Sequence, residues 1–242
     1  MEAGAIVEII DIQSEDQNEK ASELRLEYKK NNLLFSKIDI THEDSVAEKI
    51  SESIKNFKKI DILVNHAHFK GNPELLIPNS DFFSSFEEYP FELWKETINV
   101  NLNGLFLVTK HVGSFMKNQK SGVILNTAST YGIVSPNKNV YGDSGINSPI
   151  SYAVTKSAIL NFSRYLATHW AENNIRVNTI SPGGVENSGQ SEEFKKNYSR
   201  LTPLGRLAHE NDYQGAVLFL VSDASQYMTG SNLIIDGGWT AW

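Results

Sequence analysis

A doubly wound α/β fold, a parallel sheet with helices on both faces, is what the sequence predicts, and three observations predict it. Short β-branched apolar runs alternate with longer stretches in which apolar residues recur every three or four positions. The stretches between runs are long enough for the crossovers that parallel strands require, and the right-handed rule places those crossovers on the two sheet faces. No repeat, heptad, linker or low-complexity tract divides the 242 residues, so a single domain spanning residues 1–242 accounts for the chain.

The first run, IVEIIDI at Ile6 to Ile12, reads as a buried parallel strand ending in acid. Ser14 with Gln17 has the spacing of a capping box, and Ala21, Leu24 and Tyr28 then repeat at helix spacing. NLLFSKIDI is the second strand. Thr41 with Asp44 repeats the capping arrangement before Val46, Ile50, Ile54 and Phe57 make one apolar stripe, and IDILVNHA is the third strand. From Phe69 to Pro90, glycine, prolines and aromatics predict a loop feeding a helix that carries Trp94 and Ile98. NLNGLFLVTKHVGSFM continues that helix, although Gly104 costs about 1 kcal/mol against alanine. GVILNTAS is the next strand, followed by a long polar connection. The longest helix is SYAVTKSAILNFSRYLATHWAENN, with its inner face predicted to run through Ala158, Phe162, Leu166 and Trp170. IRVNTISP is a strand stopped by Pro182, YQGAVLFLVSD a helix and SNLIIDGG the closing strand.

With 29 acidic against 22 basic side chains, the net charge of -7 disfavours unspecific binding to nucleic acid or anionic membrane, and neither partner is expected. Cysteine is absent, which removes disulfides, thiolate nucleophiles and cysteine metal sites and fits a reducing compartment. The amino terminus lacks the basic and apolar regions of a signal peptide, and no apolar segment approaches about 18 residues, so the protein reads as cytoplasmic.

Tyr152 and Lys156 stand four apart on the longest helix, so both side chains share one face. A phenol of ordinary pKa about 10 is a poor base near neutrality, but a neighbouring ammonium favours the phenolate and lowers that value. Such a pair suits proton transfer to or from an alcohol or carbonyl oxygen. The same spacing also arises as an ordinary tyrosine beside a solvent-facing lysine. Three further groups narrow the choice: Ser129 follows one strand, Asn101 opens a helix after another, and SPGG at Ser181 to Gly184 follows a third. All belong near the carboxyl ends of strands, where open α/β sheets bind ligands.

NHAH at Asn65 to His68, NVNLNG at Asn99 to Gly104, NTASTYG around Ser129, YAVTK at Tyr152 to Lys156, VNTISPGG ending at Gly184, and YMTGSNLIIDGG at Tyr227 to Gly238 follow one another in this order. On these motifs the chain, from about Gly4 to its end, resembles the short-chain dehydrogenase/reductase family. The resemblance implies a Rossmann-like fold and an oxidoreductase that interconverts an alcohol and a carbonyl by hydride transfer with a nicotinamide cofactor. It makes Tyr152 the general acid/base, and Lys156 both the modifier of its pKa and a holder of the nicotinamide ribose. Ser129 would hold the substrate oxygen, and Asn101 a water leading to Lys156. On the cofactor side it implies Asp11 for the adenosine ribose, Asp39 and Ile40 for the adenine, Asn65 and Ala67 for the turn beneath the cofactor, and Pro182, Gly183, Val185 and Asn187 for the nicotinamide end. A 2′-phosphate near Asp11 would meet a like charge, so NAD is favoured over NADP. The resemblance also implies a homodimer or homotetramer.

The chain departs from that family at three places. It opens on what resembles the family's second strand, and it contains no G-x-G-x-x-G turn; the first strand, turn and helix are therefore expected to be absent. Losing about five buried apolar side chains at about 1.5 to 3 kcal/mol each removes on the order of 10 kcal/mol from a domain worth about 5 to 15. Three readings follow: the start is internal to a longer product, which the mutually consistent strands and caps favour, or the product is a damaged, weakly folding remnant, or neighbouring strands close the gap at considerable cost. The chain as it stands is expected to bind NADH poorly or not at all. His66 and His68 replace smaller residues; alternating on a strand end they point opposite ways, and with no third spaced ligand no metal is expected. Finally, Thr130 to Ser151 is longer than the family's usual connection. It shapes or covers a polar pocket, or is a tolerated surface insertion. With YMTGSNLIIDGG, this segment is similar to a subgroup of bacterial oxidoreductases associated with sialic-acid-like or other surface sugars, which implies an activated or amino sugar as substrate. Two other classes stay open: a non-catalytic nucleotide-binding or scaffold protein, and a truncated product unable to bind cofactor.

Overall fold

A computed structural model describes residues 3–28, 32–69 and 81–242. The chain forms two compact units, Met1–Lys58 and Lys59–Trp242. In the first, β1 (Val7–Asp11) pairs in parallel with β2 (Leu33–Lys37), Val7 opposite Leu33 and Asp11 opposite Lys37. A 3-10 turn (Glu15–Gln17) and α1 (Glu19–Glu27) connect them. The Ser14–Gln17 capping box forms as predicted, and the Asn18 side chain then starts α1 by accepting from the Ala21 N–H at 3.1 Å.

This opening corrects the expectation that the first strand, turn and helix are absent. The chain begins with β1, a turn and α1. The turn is closed by capping side chains instead of glycines, and β1 has its own parallel partner in β2. The stability deficit and the poor NADH binding deduced from a missing strand lose their premise. A second correction concerns α2 (Glu43–Phe57), whose N-cap is His42 and not Thr41. The Thr41 N–H and hydroxyl donate to Asp39 Oδ1 at 2.9 and 2.7 Å, a local turn that takes Thr41 away from the helix. Val46 and Ile50 of the predicted stripe are buried.

Glu8 sits in the middle of β1, a place for an apolar side chain. Its carboxylate accepts from Lys49 Nζ at 2.6 Å, Ser53 Oγ at 2.5 Å and Ser36 Oγ at 2.9 Å. Burial pushes its pKa up, but these donors prevail and hold it below its ordinary value.

The second unit is a four-stranded parallel sheet of order β3 (Ile62–Asn65), β4 (Gly122–Thr127), β5 (Ile175–Pro182), β6 (Asn232–Ile235). Its helices are α3 (Phe91–Ile98), α4 (Leu105–Gln119), α5 (Ile150–His169), α6 (Glu192–Leu201) and α7 (Gln214–Val221). Alternation along β4 shows both faces covered: Leu125 packs with Ile180 and Leu220 of α7, while the next residue, Asn126, reaches Ser163 of α5. Among the described residues no helix is long and apolar enough to cross a membrane.

Three details differ from the predicted elements. Between α3 and α4 the backbone makes a π-helical turn, Asn99–Gly104. The inner face of α5 runs through Ser151, Thr155, Lys156, Ile159, Ser163 and Leu166, while Ala158 is exposed. Small hydroxyl residues face inward because polar partners from neighbouring elements wait for them, which an apolar stripe does not reveal. Helix α6 was not foreseen, since EEFKKNYSRL is mostly charged; it is anchored by buried Tyr198 stacked on Trp239 with ring centres 4.2 Å apart.

Replacing Glu8 by alanine leaves the Lys49 ammonium, whose side chain is 12% exposed, with only the exposed Glu52 carboxylate at 2.9 Å and without its buried one. The expected loss is about 2 to 3 kcal/mol, read as a lower urea midpoint at unchanged slope. Because the folded pKa of Glu8 is depressed, its stabilisation is present above the unfolded glutamate pKa and is lost as pH falls through the folded value. The gap between wild type and variant should therefore close on acidification; a gap that persists would refute the ion-pair origin.

Candidate active site

The site grows from the end of β4. Ser129 follows it in an extended conformation and caps a 3-10 turn, Thr130–Gly132, its hydroxyl accepting from the Tyr131 N–H at 3.1 Å. Gly132 lets this turn lie against α5: a Cβ there would stand 2.6 Å from the Lys156 carbonyl oxygen. On α5 the Tyr152 phenol faces the Ser129 side chain, near enough for the serine to pull its pKa down. Lys156 is buried, donates to the Thr127 carbonyl oxygen at 2.7 Å, and lies 5.6 Å from the centre of the Tyr152 ring. Ser129, Tyr152 and Lys156 are thus brought together as the sequence suggested.

The direction of the Tyr152 shift is a correction. Burial pushes the phenol above its ordinary pKa, Ser129 pulls it down, and Tyr141 pushes it up again. The downward pull expected from Lys156, whose ammonium also donates to the Thr127 carbonyl oxygen, does not prevail over burial. The group is held as a protonated phenol at neutral pH, the form that donates a proton.

Asn101 is buried in the π-helical turn; its Nδ2 donates to Thr155 Oγ1 at 3.0 Å and its Oδ1 accepts from the Phe69 N–H at 2.7 Å. These bonds fasten it to the residue before Lys156 and to the chain after β3. Asn65 gives its amide hydrogens to Thr109 Oγ1 (2.9 Å) and Asn126 Oδ1 (2.8 Å), and Asn126 in turn donates to Ser163 Oγ at 2.8 Å. This buried polar ladder joins β3, β4, α4 and α5. Ala67 lies just beyond, exposed.

His66 and His68 do not point opposite ways, because β3 ends at Asn65 and strand alternation ends with it. Their rings meet edge to face at 5.9 Å. His66 Nδ1 lies 3.2 Å from Thr127 Oγ1, and His68 Nδ1 lies 3.0 Å from the His66 carbonyl oxygen. A carbonyl only accepts, so this His68 nitrogen carries a proton. The His68 ring centre is 6.0 Å from that of Tyr152. Among the described residues no group of three His, Cys, Asp or Glu is placed to hold a metal ion.

Thr127 of β4 pairs with Ile180 of β5, so Ser129 and the Pro182–Gly183 segment leave adjacent strand ends. The Gly183 N–H donates to the Ile235 carbonyl at 2.8 Å and the Gly184 N–H to the Tyr198 hydroxyl at 2.6 Å. Val185 bridges to Ala208, and Asn187 closes its own turn, its Oδ1 accepting from the Gly189 N–H at 3.0 Å. Asp11, Asp39 and Ile40 belong to the first unit. Asp11 Oδ1 accepts from the Gln13 N–H at 2.8 Å. Burial opposes the Asp39 carboxylate, but the Thr41 bonds prevail and hold it below its ordinary value. Ile40 is half-buried beside it.

Sequence reasoning missed the aromatic wall behind Ser129. Tyr131 and Tyr141 stand beside one another with Tyr141 near Ser148, and burial pushes both phenols up. The Tyr141 ring lies 5.5 Å from that of Phe194 on α6. The visible signal was a tyrosine two residues after Ser129 and a second inside the long connection. That connection is not a loose insertion: Val140 is fully buried in it, and it lines a cavity of about 180 Å³ beside the start of α5.

A parallel α/β sheet with serine, tyrosine and lysine gathered at its carboxyl edge defines the class of the short-chain dehydrogenases/reductases. Residues 1–240 match the family described as Enoyl-(Acyl carrier protein) reductase, and the chain belongs to this family of NAD(P)-dependent oxidoreductases. It is 34% identical to a NAD-dependent glycerol dehydrogenase of Listeria innocua, over 99% of this chain and 85% of the relative. A short-chain dehydrogenase of Leptospira borgpetersenii, solved with bound NAD+, is 37% identical with TM-score 0.83, over 99% of this chain and 84% of that one. A gluconate 5-dehydrogenase of Burkholderia cenocepacia, solved with NADP and tartrate, is 26% identical with TM-score 0.83, over 100% and 88%.

If the close approach of the Thr130–Gly132 turn to α5 sets the spacing of Ser129 and Tyr152, Gly132→Ala must push the two apart. Turnover should fall about 10- to 100-fold with the circular dichroism spectrum retained. Undiminished turnover would show that the packing at Gly132 does not govern the site.

Proposed function

We propose that this protein is an oxidoreductase in which Tyr152 passes a proton to or from the oxygen of a small hydroxylated substrate, with NAD as the preferred cofactor. The observation that carries this reading is the gathering of the Ser129 hydroxyl and the Tyr152 phenol beside the buried Lys156 ammonium. The donors fit the ribose and carboxamide end of a nicotinamide dinucleotide: Tyr152 and Lys156 share one side of α5, and Val185 to Asn187 form a hydrogen-bonded turn after β5. When bound, the cofactor supplies or removes the hydride.

The protein's own residues do the rest. Tyr152, kept as a phenol by burial, donates its proton to the carbonyl oxygen as that oxygen gains charge. Ser129 holds the same oxygen through its hydroxyl, and one such donor is worth about 3 kcal/mol to the transition state. Lys156 places a positive charge beneath the phenol, stabilises the phenolate left after transfer, and reaches toward the ribose. Asn101 positions α5 through Thr155. Asp11 favours NAD, because its carboxylate would repel a 2′-phosphate. The NAD-bound and NAD-dependent relatives support that preference, while the NADP-bound gluconate dehydrogenase shows that the fold accepts either. The names of these relatives also favour a small polyol or sugar-derived substrate. Exposed Phe106 on α4 and Tyr165 on α5 favour a homodimer or homotetramer.

Tyr152→Phe should lower hydride transfer about 100- to 10,000-fold while NADH affinity, followed by fluorescence, stays within about twofold. In the wild type, oxidation requires the phenolate and should rise into the alkaline range; reduction requires the phenol and should stay level through neutrality. Unchanged turnover in the variant would remove Tyr152 as the acid/base. Separately, Asp11→Ser should narrow the ratio of kcat/KM for NAD over NADP by about tenfold; an unaltered ratio would free Asp11 from any part in cofactor choice.

A further inference from the structure

The cavity of about 180 Å³ beside the start of α5 has room for roughly six water-sized groups. Six of the residues lining it are polar: Ser84, Ser135, Lys138, Tyr141, Asn147 and Ser148. Four of these, Ser84, Tyr141, Asn147 and Ser148, are half-buried, so their hydroxyl and amide groups are held as part of a wall and do not wave in solvent. Lys138 is the one cation among the lining residues, none of which is acidic, and no ion pair among the described residues occupies its ammonium. Phe86 and Pro136 supply an apolar flank.

This cavity lies against the reacting groups. Its lining residues Ile150 and Ala153 flank Tyr152 in the first turn of α5. Tyr141 of its lining stands beside Tyr131, whose N–H donates to Ser129 Oγ at 3.1 Å. The loop is also held from its far side, where the Asn147 N–H donates to the Phe83 carbonyl at 3.2 Å. A group seated against Tyr141 and Ser148 therefore lies next to the first turn of α5, which carries the Tyr152 phenol.

We propose that this cavity is a recognition subsite for the anionic end of a polyhydroxylated substrate, with Lys138 pairing a carboxylate or phosphate while the hydroxyl and amide groups accept the neighbouring substrate hydroxyls. The inference rests on the oxidoreductase reading and narrows its substrate class to sugar acids or sugar phosphates. The chemistry follows from the lining alone: an unpaired ammonium beside hydroxyl and amide groups, without carboxylates, favours an oxyanion and selects against a cationic or apolar ligand.

The test is calorimetric titration of the cofactor-free protein with three probes that share one carbon chain: D-glucitol, D-gluconate and D-glucitol 6-phosphate. At least one anion should bind about tenfold more tightly than D-glucitol, and that advantage should shrink with added salt. Lys138→Gln should abolish the advantage and leave D-glucitol binding and the thermal midpoint unchanged, since Lys138 is exposed and outside the core. Gluconate and the phosphate ester tell which anion the subsite prefers. The inference is overturned if the three probes bind alike, if none binds, or if Lys138→Gln keeps the preference. Binding needs no turnover, so the two readings fail separately. An anion preference in a protein that transfers no hydride sinks the oxidoreductase reading, whereas hydride transfer with no anion preference sinks the subsite.

Discussion

The bond from the Lys156 ammonium to the Thr127 carbonyl is the constraint on which the site depends. A buried ammonium costs several kcal/mol unless it is fully satisfied, so α5 is obliged to bring Lys156 to the one place where the end of β4 offers an acceptor. Two residues beyond that carbonyl the chain turns at Ser129, and one helical turn before Lys156 stands Tyr152. Fixing the lysine thus fixes the distance between serine and tyrosine. Gly132 completes the arrangement by allowing the turn to touch the α5 backbone, which any side chain would hold away.

Around this bond the interior is unusually polar. Asn65, Asn126, Thr109 and Ser163 form one ladder, and Asn101 with Thr155 forms another contact between the π-helical turn and α5. Each amide finds a partner, so burial of these groups specifies one register of strands and helices without leaving unsatisfied atoms behind. The π-helical turn belongs to the same logic: the extra residue re-aims Asn101 inward between Phe69 and Thr155. The aromatic wall of Tyr131, Tyr141 and Tyr198 is buried enough to push its own phenols up, and Tyr141 adds to the burial that raises Tyr152.

Much of this was legible before any coordinates. All six strands lie where β-branched runs place them, and α2, α3, α5 and α7 lie where apolar spacing puts them. The errors share a cause. The inner face of α5 was assigned to Ala158, Phe162, Leu166 and Trp170; Leu166 and Trp170 are buried and Phe162 packs on the core, but Ala158 is exposed and Thr155, Ile159 and Ser163 were overlooked, because hydropathy does not register a hydroxyl that has a buried amide waiting for it. Thr41 was read as a cap, but Asp39, two residues earlier, claimed its hydroxyl first. Helix α6 went unnoticed because one buried tyrosine, stacked on a tryptophan forty residues away, anchors a charged segment. The opening strand, turn and helix were taken to be missing because no glycine-rich turn was visible, whereas Ser14, Gln17 and Asn18 close the turn by capping.

Local spacing by itself determined the strand and helix series, the placement of Tyr152 and Lys156 on one helical face, and the membership of Ser129 in a strand end, since these depend on residues near one another in the chain. Only the tertiary structure decided which way the Tyr152 pKa moves, that His66 and His68 meet instead of diverging, that Asn65 spends its amide hydrogens on the ladder, and that Thr130 to Ser151 walls a cavity. Each of these is set by burial and by partners distant in sequence, quantities that no short-range pattern encodes.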